Sequence, residues 1–169
     1  SKVNVLDYSE IKLLIDVLKL IDYFADDPPL VATLKCAIGK LTDEELAKIR
    51  AFSQGKKISF LACVENYRQN GDSPIIKNKL EDFFRYFDEI RTLSEFWGAG
   101  ELLGKIMRDT GLDLEIASKN LGKIRLARVE RFLSESVANG VELSVGEFLQ
   151  KIKNAESFTA TSEVAGTEA

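Results

Sequence analysis

The chain has 169 residues, a net charge of −4 and no histidine. That length suits one domain with a real core, and the ordinary 45% apolar and 30% charged content suits a globular chain. The negative balance argues against binding nucleic acid through the whole surface, and the missing imidazole removes the usual general base and the commonest metal ligand. Cys36 and Cys63 stand alone in their segments, so they read as buried thiols of a reducing compartment. No apolar run reaches bilayer-spanning length and SKVNVLDYSE lacks a signal-peptide core, so the expected location is cytoplasmic, with no membrane partner.

The period is helical almost throughout. Asp7 and Glu10 resemble a capping box before a helix that places Ile11, Leu14, Ile15, Leu18 and Ile21 on one face. Leu13, Val17, Leu20 and Phe24 widen that face and predict burial on most sides. Asp26-Asp27-Pro28-Pro29 stops this helix and starts a short one, Leu30 to Lys35. A break over Cys36–Leu41 precedes a third helix, where Thr42 and Glu45 form a capping box and Leu46, Ile49 and Phe52 the apolar stripe. Ile58 to Tyr67 is open to strand or helix, and the spacing of Phe60, Val64 and Tyr67 favours helix.

Ser73-Pro74 opens a long helix to about Leu93, whose stripe Ile76, Leu80, Phe83, Phe84, Phe87 and Ile90 reads as core. Further helices are predicted over Glu101–Asp109, capped by Gly111, over Leu112–Ala117, and over Gly122–Val137, stopped by Asn139-Gly140. Ser144 and Glu147 box the start of a last helix carrying Val145, Phe148, Leu149 and Ile152. SFTATSEVAGTEA has no period and reads as a polar tail. The expected fold is all-α, with roughly eight or nine helices, no credible β-hairpin and no significant sheet: one helical domain over 1–155 and a tail over 156–169.

No P-loop, no GxGxxG and no GxSxG occurs, and no histidine could activate a serine or cysteine. The sequence therefore predicts no catalytic, cofactor-binding or metal-ligating residues. Asp26-Asp27 and Glu44-Glu45 are better explained as helix-start acids than as a metal site. Two features could meet phosphate. One is the turn Ala37-Ile38-Gly39-Lys40 followed by Thr42, where glycine permits close approach and a helix start offers N–H groups. A plain interhelical turn is the competing reading. The other is the basic set Lys119, Lys123, Arg125, Arg128 and Arg131, which competes with a solvated face paired to Glu130 and Glu135.

Four segments in order resemble a known family. YSEIKLLIDVLKLIDYFADDPPLVATLKCAIGKLTDEELAKIR is similar to the start of the 2B subdomain of UvrD-like superfamily 1 DNA helicases, closest to the AddA and RecB type, through Leu14, Leu18, Ile21, Asp27, Pro29, Leu30, Leu34, Ile38, Gly39, Leu41 and Leu46. ELLGKIMRDTGL matches through Leu102, Leu103, Ile106, Met107, Thr110 and Gly111, and GKIRLARVERFL through Gly122, Arg125, Leu126, Ala127, Val129 and Leu133. LSVGEFLQKI matches through Leu143, Ser144, Glu147, Phe148, Leu149 and Ile152. Two positions depart: Arg128 stands where the family usually has asparagine, and Ala37-Ile38-Gly39 replaces the Gly-Ile-Gly turn associated with duplex phosphates in the UvrD and PcrA branch.

The resemblance implies a non-catalytic accessory subdomain, inserted between motor motifs of a longer ATP-dependent DNA helicase, such as the helicase–exonuclease of double-strand break repair. The polar tail would lead toward the missing motor segment. ATP and Mg would belong to the parent. The implied partners are duplex or junction DNA, the motor domains of the same chain and a nuclease subunit. The candidate DNA contacts are Gly39, Lys40, Thr42, Lys119, Lys123, Arg125 and Arg128. The alternative is a free-standing helical scaffold for protein interaction, with no nucleic-acid role.

Overall fold

The computed structural model describes the backbone of residues 4–167 and side chains 4–157. Its organising element is α1 (Ser9–Asp22), in which Ile11, Leu14, Val17, Leu18 and Leu20 are fully buried. A helix apolar on nearly every side must be surrounded, and α1 packs against α2 (Asp27–Lys35), α5 (Pro74–Leu93), α6 (Ala99–Thr110), α8 (Gly122–Ser134) and α9 (Val145–Thr167). The remaining helices are α3 (Asp43–Phe52), α4 (Phe60–Asn70) and α7 (Leu112–Ser118). The described residues thus form an all-α fold of nine helices around one continuous core, as expected.

Local chemistry sets most boundaries. Both hydrogen bonds of the predicted capping box of α3 form: Thr42 Oγ1 accepts from the Glu45 N–H at 3.1 Å, and Glu45 Oε1 accepts from the Thr42 N–H at 3.0 Å. The reciprocal pair Ser144–Glu147 opens α9 in the same way. The ambiguous stretch after Ile58 is helical, with Phe60, Cys63, Val64 and Tyr67 inward. Its start is secured by Asp27, whose carboxylate accepts from the N–H groups of Phe60 at 2.7 Å and Leu61 at 3.2 Å. Asp27 is therefore a helix-start acid for α4 as well as the first residue of α2. The aromatic stripe of α5 is core: Phe83 and Phe87 are buried, and Phe24 reaches across so that its ring lies 5.3 to 6.3 Å from those of Phe83, Phe84 and Phe87. Both cysteines are free and buried, and burial pushes the Cys36 thiol up to about 11.

Three expectations are corrected. Asp7 and Glu10 make no capping box: Asn4 caps a short 3-10 turn over Val5–Asp7, Tyr8 precedes α1 without a side-chain cap, and Glu10 turns toward α8. Helix α8 stops at Ser134 rather than Val137, and a small hairpin follows, β1 (Val137–Ala138) paired antiparallel with β2 (Val141–Glu142). Its turn is Asn139-Gly140, both left-handed at φ 53° and 74°, which is the geometry an Asn-Gly pair favours between two strands. Lastly, α9 continues to Thr167 through the segment read as a tail. Small and polar residues do not by themselves end a helix, and Ala155–Val164 contains no glycine or proline. Residues 168–169 lie outside the described ones.

Candidate nucleic-acid interface

The turn between α2 and α3 is held from within. Gly39 N–H donates to Thr33 O at 3.2 Å, Lys40 N–H to Cys36 O at 2.8 Å, and Leu41 N–H to Leu34 O at 3.0 Å. The Ala37 N–H is already met by an anion, the Glu115 carboxylate of α7, at 3.2 Å. Lys79 of α5 adds a second clamp, its Nζ donating to Lys40 O at 2.8 Å and to Glu45 Oε1 at 2.7 Å. The Lys79 ammonium, with the Thr42 bonds, outweighs burial and holds the Glu45 carboxyl below its usual range. Gly39 is needed here for packing: a Cβ at this position would run into the backbone of Leu34. Thr42 spends its hydroxyl on the cap, and Lys40 is exposed. The first turn of α3 carries Asp43, Glu44 and Glu45, which oppose an incoming phosphate.

The corner between α7 and α8 has the opposite character. Lys119 and Lys123 are exposed and make no ion pair among the described residues. Helix α8 begins at Gly122 with no side-chain cap and no acid in its first turn. Leu121, just before it, has φ 60° and an exposed side chain.

Arg125 and Arg128 do not share that freedom. Glu10 lies between them with only 2% of its side chain exposed, accepting from Arg125 Nη1 at 2.8 Å and Arg128 Nη1 at 3.1 Å. Arg125 also donates through Nη1 to Ser9 Oγ at 3.0 Å and through Nε to Asn120 O at 2.7 Å. The Arg128 guanidinium sits 3.6 Å from the Tyr8 ring centroid. Burial pushes the Glu10 carboxyl up, but hydrogen bonding and the two arginine charges outweigh it and hold it below its usual range.

The seven sequence-predicted residues therefore fall into two groups. Gly39, Lys40 and Thr42 share the closed turn, and Lys119, Lys123, Arg125 and Arg128 share the corner. Glu115 of α7 links the two regions through its bond to Ala37. Sequence reasoning missed Glu10, Tyr8, Glu115 and Lys79. The competing reading paired the basic set with Glu130 and Glu135, whereas the acid of Arg125 and Arg128 is Glu10 and Glu135 pairs with Lys151. Glu10 itself was visible in the sequence, but local patterning assigned it to a cap.

No family model matches the chain. Among curated proteins it is similar to the ATP-dependent helicase/nuclease protein AddA of Bacillus mycoides, 29% identical over 124 residues, or 72% of this chain and 10% of that protein. It is 31% identical over 110 residues to the protein of the same name from Heliobacterium modesticaldum, covering 61% of this chain and 8% of that one. The Bacillus cereus protein of that name is 29% identical over 124 residues. The matched region thus spans about a tenth or less of these relatives' length. By sequence, this all-α chain is homologous to one segment of the ATP-dependent helicase/nuclease protein AddA, in line with the UvrD-like helicases that its four ordered motifs resemble.

Proposed function

We propose that this chain is a non-catalytic accessory module of an ATP-dependent DNA helicase, of the 2B kind, that steers duplex or junction DNA or regulates unwinding. The observation that carries the proposal is its similarity to a segment of the helicase/nuclease AddA. In this reading ATP and Mg are handled by motor domains elsewhere in a longer chain, a separate nuclease is a further partner, and the setting is DNA repair in the cytoplasm.

Within the module, the α7–α8 corner is the better phosphate contact. Lys119 and Lys123 are free of ion pairs among the described residues, and α8 presents uncapped N–H groups beside them. Arg125 and Arg128 act behind them, their guanidinium planes aligned by Glu10 and Tyr8 with about a quarter of each side chain exposed, 24% and 26%. A domain of net charge −4 binds weakly alone, so the expected signal is a modest, salt-sensitive affinity.

Fluorescence anisotropy with a single-strand/double-strand junction tests this. Replacing Lys119 and Lys123 together by glutamate is expected to weaken binding and to lower the slope of log K against log salt by about 1 to 2. Binding that ignores salt, or that survives the double replacement unchanged, argues against the corner. A gene with no helicase motor around this segment would argue against the accessory role itself.

A further inference from the structure

A second surface lies on another part of the molecule and is unlike the basic corner. The loop after α5 carries Phe96, 80% exposed, and Trp97, 36% exposed. This loop rests on the hairpin. The Ala99 N–H donates to Leu143 O at 2.9 Å, and a Cβ on Gly98 would lie 2.7 Å from Glu142 Oε2. The register pairs Val137 with Glu142, so Val137, 41% exposed, shares the face that meets this loop, while Val141 lies on the other face. Two consecutive exposed aromatics beside an exposed valine are more than the scattered apolar residues of an ordinary surface.

The rim of this patch is acidic. Glu142 stands beside Glu101, and a proton shared with that carboxyl, together with burial and its like charge, pushes the Glu142 carboxyl up. Glu95 precedes Phe96 and lines a polar cleft together with Asp22, Asp88 and Arg91. Three acids against one arginine leave that cleft negative. A nucleic acid is repelled by such a rim, as are an anionic membrane and a second copy of the same surface. What complements it is an apolar anchor flanked by cations.

We propose that Phe96, Trp97 and Val137, with Glu95, Glu101 and Glu142 around them, form a docking surface for a polypeptide segment presenting an apolar side chain between lysines or arginines. Phe96 is the anchor and the carboxylates select the sign of the partner. The surface stands on its own residues and does not depend on the helicase reading.

Trp97 is the only tryptophan, so 5-fluorotryptophan labelling gives a single fluorine resonance inside the patch. The labelled chain is titrated with a short amphipathic peptide of leucine and lysine, with its leucine and glutamate counterpart, and with duplex DNA. The expected result is a shift of the Trp97 resonance by the lysine peptide alone, about tenfold weaker in Phe96→Ser and weakened by Glu95→Gln. Phe96 is exposed, so an unchanged melting temperature in Phe96→Ser ties that loss to the surface. The proposal is overturned if the lysine peptide leaves the resonance unmoved, if the glutamate peptide acts equally, or if Phe96→Ser binds as well. A shift produced by DNA overturns it in favour of a nucleic-acid face.

Discussion

The α2–α3 turn and the α7–α8 corner look alike as sequence: each is a short break with glycine and lysine before a helix. In the fold they are opposites. The turn is closed, because its N–H groups are spent on Thr33, Cys36 and Leu34 carbonyls and on Glu115, and its helix starts with three acids. The corner is open, with an uncapped helix start and two lysines free of ion pairs among the described residues. Whether a basic residue or a helix start is available to a ligand thus depends on which distant groups already hold it. Glu115 and Glu10 are such groups, the one closing the turn and the other binding the two arginines behind the corner.

Substitutions at four positions test how firm this contrast is. Gly39→Ala drives a methyl into the Leu34 backbone, so the closed turn must open or distort; a loss of about 3 kcal/mol is expected in chemical denaturation. A stability close to wild type would mean that the turn is looser than its hydrogen bonds indicate.

Glu10→Ala leaves Arg125 and Arg128 without their acid. Since about a quarter of each arginine remains in water, the expected loss is about 2 kcal/mol, less than for a fully buried pair. The same carboxylate makes a pH prediction. Its pKa is lowered in the fold, so its contribution is fully present above the unfolded value and fades as pH falls through the folded one. Wild type should therefore lose stability below about pH 4 more steeply than Glu10→Gln, as read by circular dichroism melts across acid pH.

Thr42→Ala removes the hydroxyl of the capping box and should cost about 1 kcal/mol without changing DNA affinity, because the hydroxyl faces Glu45 rather than a ligand. Smallest of all, Lys40→Glu should shift stability by less than about 0.5 kcal/mol. Junction binding should also survive it if the corner alone carries phosphate. A loss as large as that from the Lys119 and Lys123 double replacement would return the turn to the interface and erase the contrast.

Much of this protein was legible from spacing alone. The Leu14–Leu18–Ile21 face, the aromatic stripe of α5 and the boxes at Thr42 and Ser144 are local patterns, and local hydrogen bonding and helical periodicity produce them wherever they occur. The Asn139-Gly140 hairpin was legible too, but a helix-period reading treated the pair as a stop signal rather than a turn. The assignment of Glu10 failed for a different reason. A short-range box with Asp7 satisfied the local pattern, yet packing of α1 against α8 offered two guanidinium groups more than a hundred residues away.

The helical class and most element boundaries are written in the chain itself, because they depend on neighbours within a few positions. Which charges are free is a property of the packed molecule. An ion pair forms between whichever groups the packing brings within about 4 Å, regardless of their separation along the chain. That is why Lys119 and Lys123 stand at the surface without an ion pair among the described residues, while Arg125 and Arg128, of the same sign and on the same helix as Lys123, are bound to Glu10.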